Sequence, residues 1–294
     1  MHYNGPIVRP PTDAFSVMLE VTVGCTHNSC KFCNFYEGYP FKMASLEQIE
    51  MDLKEVSSNN RHVKNVWATG GNPYALSVEK LEKIALLIRK YLPEAKISTY
   101  ARVDDFKRKS VEDIRHLMNL GFEDILIGVE SADDEALAYM NKGYTGKDVL
   151  EQLKKVEASG VNYRVIYLGG IAGAGKCEES AKRTAKVLNE LNPYMMFVTS
   201  VAVLPGTELY NEVKMGNFTE ASELERIKEI RALTSNLKNN IFIYARSVSS
   251  SVDFTASFPE DKEKIIGKLD EIIDQFTQED EELLRNRRES LRMV

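Results

Sequence analysis

The sequence predicts an α/β fold in which strands alternate with helices around a parallel sheet. Short runs rich in β-branched and aromatic residues, each bounded by Gly, Pro or charged residues, recur up to residue 204. Amphipathic helical runs lie between them. This alternation is typical of a parallel sheet, either doubly wound or barrel-like. The length of 294 residues is normal for a single β/α barrel.

Six strands and five intervening helices are predicted in this part of the chain. The strands are expected at residues 17–23, 63–68, 95–101, 124–129, 163–168 and 196–204. The helices are expected at 46–56, 78–91, 111–120, 147–158 and 178–191. In the second helix, Leu81, Ile84, Ala85 and Ile88 have the spacing that buries one helix face.

The pattern changes after Pro205. Helices are predicted at 208–215 and 222–237, and residues 247–255 are polar and irregular. A long charged helix is expected to open at Pro259 and to run to about residue 288. We therefore divide the chain into an N-terminal arm (1–15), a β/α core (16–215) and a helical C-terminal extension (216–294).

Charge and hydropathy predict a cytoplasmic protein. A net charge of −6 with 28% charged residues gives no global attraction to nucleic acid or to anionic lipid. The N-terminus lacks the apolar run of a signal peptide. The longest apolar stretch, residues 194–205, is too short to span a bilayer. We expect no membrane partner, and the sequence leaves the oligomeric state open.

Three of the four cysteines follow the first predicted strand with C-x4-C-x2-C spacing: Cys25, Cys30 and Cys33. In a reducing compartment such clustering favours a metal site over disulfides. Three thiolates on one loop can each bind a different iron of a 4Fe–4S cubane and leave the fourth iron open. Two alternatives remain. A plant-type 2Fe–2S centre would need Cys177 as fourth ligand, and structural zinc could use His27.

This loop, with Phe32 just before its third cysteine, resembles the cluster loop of the radical S-adenosylmethionine (SAM) superfamily, although most members space these cysteines C-x3-C-x2-C. Later runs extend the resemblance. Residues 127–145 resemble the branch that contains methylthiotransferases, the Elongator catalytic subunit and oxygen-independent coproporphyrinogen oxidase, and residues 203–210 contain a Leu-Pro-Gly-Thr-x-Leu-Tyr run. The resemblance implies a partial (β/α)6 barrel that holds one 4Fe–4S cluster and binds SAM.

The resemblance also implies which residues bind SAM. The backbone of Gly70, Gly71, Asn72 and Pro73 would bind the methionyl amine, because glycines let the chain approach a ligand closely. Asn72 stands where the family usually has Glu, so only the backbone role transfers. A tight turn is the alternative interpretation of this run.

Further SAM contacts are implied on later strands. Glu130 would bind the ribose or amine, unless it is a solvated strand-end carboxylate. Arg164 would bind the methionyl carboxylate, unless it faces outward. The adenine would lie beside Ile171, Gly173 and Leu204. The same glycine-rich run, Gly170 to Lys176, also fits the phosphate-binding pattern G-x-x-x-x-G-K, but Cys177 replaces the Ser or Thr that would bind Mg²⁺.

The expected activity is reductive cleavage of SAM to a 5′-deoxyadenosyl radical that abstracts hydrogen from a small-molecule substrate, with flavodoxin or ferredoxin as electron donor. Tyr100 and Arg102, at the end of the third strand, are candidate catalytic or substrate contacts, or else a surface pair. The lack of a second cysteine cluster disfavours methylthiotransferase chemistry. Two alternatives are kept: a haem carrier related to coproporphyrinogen oxidase, and a nucleotide hydrolase.

Overall fold

The computed structural model describes residues 1–59 and 62–291. These residues form two compact units. The first unit comprises Met1–Asn28, Phe35–Gly128 and Gln152–Tyr163. The second comprises Ser29–Asn34, Val129–Glu151 and the chain from Arg164 onward.

The strands and helices follow one another in the expected α/β order. Their bounds are β1 Val17–Glu20, β2 Thr22–Val23, β3 Lys42–Met43, α1 Leu46–Asn59, β4 Asn65–Thr69, α2 Val78–Tyr91, β5 Lys96–Arg102, α3 Val111–Asn119, β6 Phe122–Glu130, α4 Asp134–Tyr139, α5 Gly146–Ser159, β7 Asn162–Gly169, α6 Cys177–Leu188, β8 Met195–Ser200, α7 Glu208–Lys214, α8 Glu223–Asn236, β9 Ile241–Ala245, β10 Phe254–Phe258, α9 Lys262–Gln275 and α10 Gln278–Glu289. The predicted α/β class is confirmed.

In the first unit, β1, β4, β5 and β6 are parallel neighbours in that order. Val66, Trp67 and Ala68 in β4 are all buried, as expected for a parallel strand covered on both faces. Helix α2 has the predicted bounds. Ser77 caps it by accepting a hydrogen bond from the Lys80 amide, and its predicted apolar face is buried.

In the second unit, β7, β8 and β9 are parallel, and β10 pairs antiparallel with β9. Helix α8 is unusual because charged side chains lie on its buried side, among them Glu223, Arg226 and Glu229. A helix packed on a protein core normally presents apolar residues there. Glu223 pairs with Arg288 of α10 at 2.7 Å, and Glu229 binds the loop after β7 that is described below.

The C-terminal extension differs from the prediction in two ways. It contains helices as expected, but also the strands β9 and β10. The predicted long helix is two helices, α9 and α10, because the chain leaves the helical path at Phe276. Thr277 then starts α10 in a reciprocal capping box with Asp280.

Some strand ends also differ. The predicted strand 196–204 ends at Ser200, and the predicted strand 17–23 is interrupted between β1 and β2. No helix among the described residues is long and apolar enough to cross a membrane.

Candidate functional site

The first part of the cysteine loop, in the first unit, packs closely against the glycine run that follows β4. The Gly71 amide donates to the Gly24 carbonyl at 3.0 Å. A Cβ atom at residue 71 would lie 2.8 Å from Cys25 Cβ and 2.4 Å from the Gly24 oxygen. Only glycine fits this distance without movement of the cysteine loop.

Asn72 is fully buried and fixes the residue next to Cys25. Its Oδ1 accepts from the Thr26 amide at 2.9 Å, and its Nδ2 donates to Thr26 Oγ1 at 2.7 Å and to Asp105 Oδ1 at 2.9 Å. The hydrogen bonds of the Asn72 side chain therefore fix the cysteine loop at Thr26. A role of the Asn72 backbone in SAM binding stays a prediction. Pro73, also buried, begins a short 3-10 helix, Pro73–Ala75.

Asp105 completes this arrangement from the loop after β5. Its Oδ2 accepts from the Arg102 amide at 2.8 Å. Burial raises the pKa of Asp105 to about 7, although the hydrogen bonds from Arg102 and Asn72 act in the opposite direction. No sequence pattern had singled out this carboxyl group.

The two candidate substrate contacts on β5 already have protein partners. Arg102 is the last residue of the strand, as expected, but its guanidinium binds Asp104 through Nε at 2.9 Å and Nη2 at 3.2 Å. The Tyr100 hydroxyl donates to the Val8 carbonyl at 3.3 Å, and its ring lies edge-on to Trp67. A substrate role for either residue stays a prediction.

The second part of the cysteine loop, Ser29–Asn34, is held within the second unit. The Lys31 amide donates to the Met140 carbonyl at 3.1 Å, and the Lys31 carbonyl accepts from the Leu209 amide at 2.8 Å. Asn141 Nδ2 donates to the Ser29 carbonyl at 2.8 Å. The loop is thereby attached to the end of α4 and the start of α7.

The cysteines differ in exposure. Cys25 and Cys30 are partly exposed and Cys33 is exposed, whereas Cys177 is buried. The Cys177 thiol donates to the Gly173 carbonyl, and burial raises its pKa far above the usual thiol value. A buried neutral thiol is a poor iron ligand. This disfavours Cys177 as a fourth ligand and with it the ferredoxin-type alternative.

The zinc alternative stays open. Among residues 1–59 and 62–291, no group of three or more Cys, His, Asp or Glu side chains is placed to hold a metal ion. Ligands of one zinc ion must converge on a single point. The three cysteine thiolates of one cubane must likewise lie close together around the cluster, so this absence does not distinguish zinc from a 4Fe–4S cluster.

Glu130 is the last residue of β6 and has a left-handed backbone conformation, with φ of +62°. Its side chain is only 12% exposed, and Oε1 lies 3.4 Å from Lys142 Nζ. It is therefore not the solvated strand-end carboxylate of the alternative interpretation.

Arg164 lies near the amino end of its strand, where the predicted strand 163–168 already placed it. It is the third of the eight residues of β7, not at the strand's carboxyl end. It is buried, and its guanidinium lies 5.9 Å from the centre of the Phe197 ring. The position arises because β7 starts at Asn162 and continues to Gly169. Binding of the SAM carboxylate by Arg164 stays a prediction.

The glycine-rich run after β7 is held by carboxylates of α8. The Gly170 amide donates to Glu229 Oε2 and the Gly175 amide to Glu225 Oε1, both at 2.7 Å. Glu229 also accepts from the Tyr167 hydroxyl at 2.7 Å, and burial raises its pKa to about 7. A phosphate-binding loop would direct such amides at the phosphate. The occupied amides therefore disfavour the nucleotide hydrolase.

The candidate adenine contacts are apolar and tightly placed. Ile171 and Leu204 are buried, and Ile171 belongs to a hydrophobic cluster against which Phe32 also packs. A Cβ at Gly173, where φ is +81°, would lie 3.0 Å from the Phe218 ring.

The sequence reasoning missed Asp105, Lys142 and Glu229. Only Lys142 had a signal, since it lies within the run 127–145 that carried the family resemblance.

Comparison with known proteins places these features in a family. The model of the Radical SAM superfamily matches residues 19–188. An uncharacterized protein of Methanocaldococcus jannaschii, MJ0486, is 22% identical over 274 residues, which cover 88% of this chain and 84% of that protein. The heme chaperone HemW of Bacillus subtilis is 26% identical over 201 residues, which cover 65% of this chain and 52% of HemW.

A solved structure shares the fold. Coproporphyrinogen III oxidase (HemN) of Escherichia coli, described as a radical SAM enzyme, superposes with a TM-score of 0.56 at 19% identity. The superposition covers 75% of this chain and 51% of HemN. The chain thus spans about half the length of HemW and of HemN.

Proposed function

This chain belongs to the radical SAM superfamily, and on that premise we propose that it is an enzyme that cleaves SAM reductively. The observation that carries the proposal is the cysteine loop. Gly71 packs against Cys25, and the only cysteine outside the loop, Cys177, is buried and protonated. Cys25, Cys30 and Cys33 would therefore be the sole protein ligands of a site-differentiated cluster.

Proteins of this superfamily use a 4Fe–4S cluster and SAM. The residues present here fit both groups. Cys25, Cys30 and Cys33 are accessible to a cluster, and at Gly71, beside Cys25, there is no room for a side chain. When bound, the cluster and SAM supply an electron and a 5′-deoxyadenosyl radical that removes a hydrogen atom from the substrate.

The protein's own residues would position these groups and exclude water. The backbone of Gly70, Gly71, Asn72 and Pro73 would bind the methionyl amine, and Glu130 the ribose or amine. Arg164 is retained as a proposed contact of the methionyl carboxylate. Ile171 and Leu204 would present apolar surface to the adenine, with Gly173 giving the backbone close access. Phe32, the residue before Cys33, packs against the apolar cluster that contains Ile171 and is retained as a proposed cofactor contact.

We propose a small-molecule substrate and a cytoplasmic location, where flavodoxin or ferredoxin would supply the electron and the cysteines would stay reduced. Arg102 and Tyr100 are the proposed substrate contacts on β5. Arg102→Lys keeps the charge but loses the planar fork. It should slow substrate turnover more than uncoupled SAM cleavage. Equal loss of both activities would assign Arg102 to SAM binding instead.

The direct test is anaerobic reconstitution followed by incubation with SAM and dithionite. We expect about four irons per chain, as for one cubane, and formation of 5′-deoxyadenosine. Cys177→Ser should keep both, whereas Cys30→Ser should lose both. If 5′-deoxyadenosine does not exceed the level in a variant that lacks all three loop cysteines, the enzyme proposal is wrong.

A haem carrier is the second candidate, because one relative in sequence is a heme chaperone. A carrier needs an axial ligand for the haem iron. Two histidines already contact acidic groups: His2 binds Asp52, and His116 lies 3.5 Å from Glu82. We expect no tight haem binding. An anaerobic haem titration with a Soret shift that saturates at one equivalent, together with no SAM cleavage, would favour the carrier.

A further inference from the structure

Glu20, the last residue of β1, is a buried carboxylate that the N-terminal arm covers. It is 2% exposed. Its Oε1 accepts from Asn4 Nδ2 at 2.9 Å, and its Oε2 accepts from the Asn4 amide at 2.8 Å and the Gly5 amide at 3.2 Å. His2 Nε2 lies 3.6 Å from Oε1. Among residues 1–59 and 62–291, the hydrogen bonds to this carboxylate come from the arm alone.

This set of donors fastens the arm to β1. A buried carboxylate is costly unless hydrogen-bond donors replace the water that it has lost. Hydrogen bonds to an ionised acceptor are also stronger than those between neutral groups. The Glu20 carboxylate and the N–H groups of Asn4 and Gly5 therefore stabilise each other only while the arm is in place.

Farther along its course, the arm contacts a residue that we propose as a substrate contact. The Val8 carbonyl accepts from the Tyr100 hydroxyl of β5 at 3.3 Å. Arg102, two residues later in the same strand, lies on the same face as Tyr100, because alternate residues of a strand point to the same side. The arm thus lies at the face of β5 that carries both proposed substrate contacts.

Glu20 and Tyr100 lie on one face of the sheet. Glu20 is aligned with Thr69 of β4, so it shares a face with Trp67, two residues before Thr69. The Trp67 ring lies edge-on to that of Tyr100, with centroids 4.8 Å apart. The arm therefore crosses this face from the end of β1 to β5.

The arm has no regular secondary structure to hold it in place. Residues 1–10 form neither helix nor strand, and Tyr3, Asn4 and Arg9 are exposed. Besides Glu20, its polar contacts with the core include the Met18 carbonyl, which accepts from the Tyr3 hydroxyl at 3.0 Å. Segments with few buried contacts and solvent-exposed backbone are the ones that open locally at low cost.

We propose that residues 2–9 are a lid over Tyr100 and that Glu20 is its latch. In the closed state the arm occupies the Tyr100 hydroxyl, and substrate reaches Tyr100 and Arg102 only when the arm moves away. Opening exposes the Glu20 carboxylate to water, so the movement leaves no charge buried without a partner. The inference deepens the proposed function and rests on it for the role of Tyr100 and Arg102 as substrate contacts.

The test compares the reconstituted full-length protein with Glu20→Gln and Asn4→Ala. Glu94→Gln is the control, because this glutamate is exposed in the turn between α2 and β5. Amide hydrogen exchange at residues 3–9 measures opening of the arm. Acrylamide quenching of fluorescence measures access to the covered face, because Trp67 is the only tryptophan in the chain and is fully buried beside Tyr100. Iron content is measured in every variant.

We expect Glu20→Gln to keep its iron and to speed exchange at residues 3–9 at least about tenfold, the scale of one charge-assisted hydrogen bond. Glutamine puts an NH2 group where the carboxylate accepted from the arm, so the latch is broken. Quenching of Trp67 should rise with it. Asn4→Ala removes one of the donors and should give smaller changes in the same direction. Glu94→Gln should match the wild type.

Three results would overturn the inference. They are unchanged exchange at residues 3–9 in Glu20→Gln, faster exchange there without increased quenching of Trp67, and loss of iron in Glu20→Gln but not in Glu94→Gln. The last would assign Glu20 to support of the cysteine loop. If Glu20→Gln does not fold, Asn4→Ala decides alone, and wild-type exchange and quenching in that variant would overturn the lid.

Failure of the proposed function would be seen separately. Exchange and quenching are measured without SAM, whereas failure of the proposed function is a wild-type protein that forms no 5′-deoxyadenosine.

Discussion

Two glycine-rich loops, one in each unit, are stabilised in different ways. The loop from Gly70 to Pro73 follows β4, and its glycines are required by close contact with the cysteine loop. The loop from Gly169 to Lys176 follows β7, and its amides bind carboxylates of α8, the farthest being Glu229, 59 residues later in the chain. Helix α8 lies outside the residues matched by the family model.

The loops nevertheless share one feature, a buried carboxyl group whose pKa is raised to about 7. Asp105 lies behind the first loop and Glu229 behind the second. The loops differ in what holds them in place. Close packing against the cysteine loop holds the first, and hydrogen bonds to carboxylates of α8 hold the second. The first is sensitive to any added atom, whereas the second is sensitive to the charge and hydrogen-bonding capacity of one helix.

The largest effect is expected from Gly71→Ala. The added Cβ would overlap Gly24 and Cys25, so the cysteine loop must move. We expect the variant to lose most of its iron after reconstitution. Gly267→Ala is the matched control, because this α9 glycine has no atom within 4 Å of the added Cβ and alanine favours helix. Full iron content in Gly71→Ala would show that the close contact is not required.

Asp105→Asn should have the next largest effect. In asparagine only Oδ1 accepts hydrogen bonds, and Nδ2 is a donor. The new Nδ2 at position 105 would therefore face another donor, either Asn72 Nδ2 or the Arg102 amide. We expect the free energy of unfolding at pH 8 to fall by about 1–3 kcal/mol, the cost of an unsatisfied buried group. Urea denaturation measures it. A stability equal to that of the wild type would remove Asp105 from the support of the first loop.

Glu229→Gln tests the charge behind the second loop through pH. The native pKa is about 7, above the ordinary value of 4.5. The folded protein therefore holds this proton more tightly than the unfolded chain. The stabilisation is complete below about pH 4.5 and is lost as pH rises through 7, with a slope of at most about 1.4 kcal/mol per pH unit.

The glutamine variant cannot titrate at this position, so its stability should fall less steeply between pH 5.5 and pH 8 than that of the wild type. Urea denaturation at several pH values in this interval is the measurement. Parallel wild-type and variant profiles would contradict the raised pKa of Glu229.

The smallest effect is expected from Glu225→Gln. This side chain accepts from the Gly175 amide through Oε1 and from the Ser222 amide through Oε2, but it is only partly buried, so water can replace the acceptor that glutamine lacks. We expect a change below about 0.5 kcal/mol in the free energy of unfolding. A larger loss than in Glu229→Gln would mean that the outer carboxylate, and not the buried one, stabilises the loop.

The sequence by itself determined the order of strands and helices in the core and the cysteine loop. Periodicity and cysteine spacing are local properties, and they predict local structure directly. The same reasoning missed β9 in the extension. Its run of Ile, Phe and Tyr carried a strand signal, but the neighbouring segments had been assigned to helix and irregular structure.

Only the tertiary structure decided which side chains meet. Asn72 with Asp105, Lys142 with Glu130 and Glu229 with Gly170 each join segments that are distant in sequence. Arg164 shows the same limit, because its contact with the Phe197 ring joins β7 to β8. A buried charge is tolerated only where the fold brings it a partner, and no local pattern encodes that meeting.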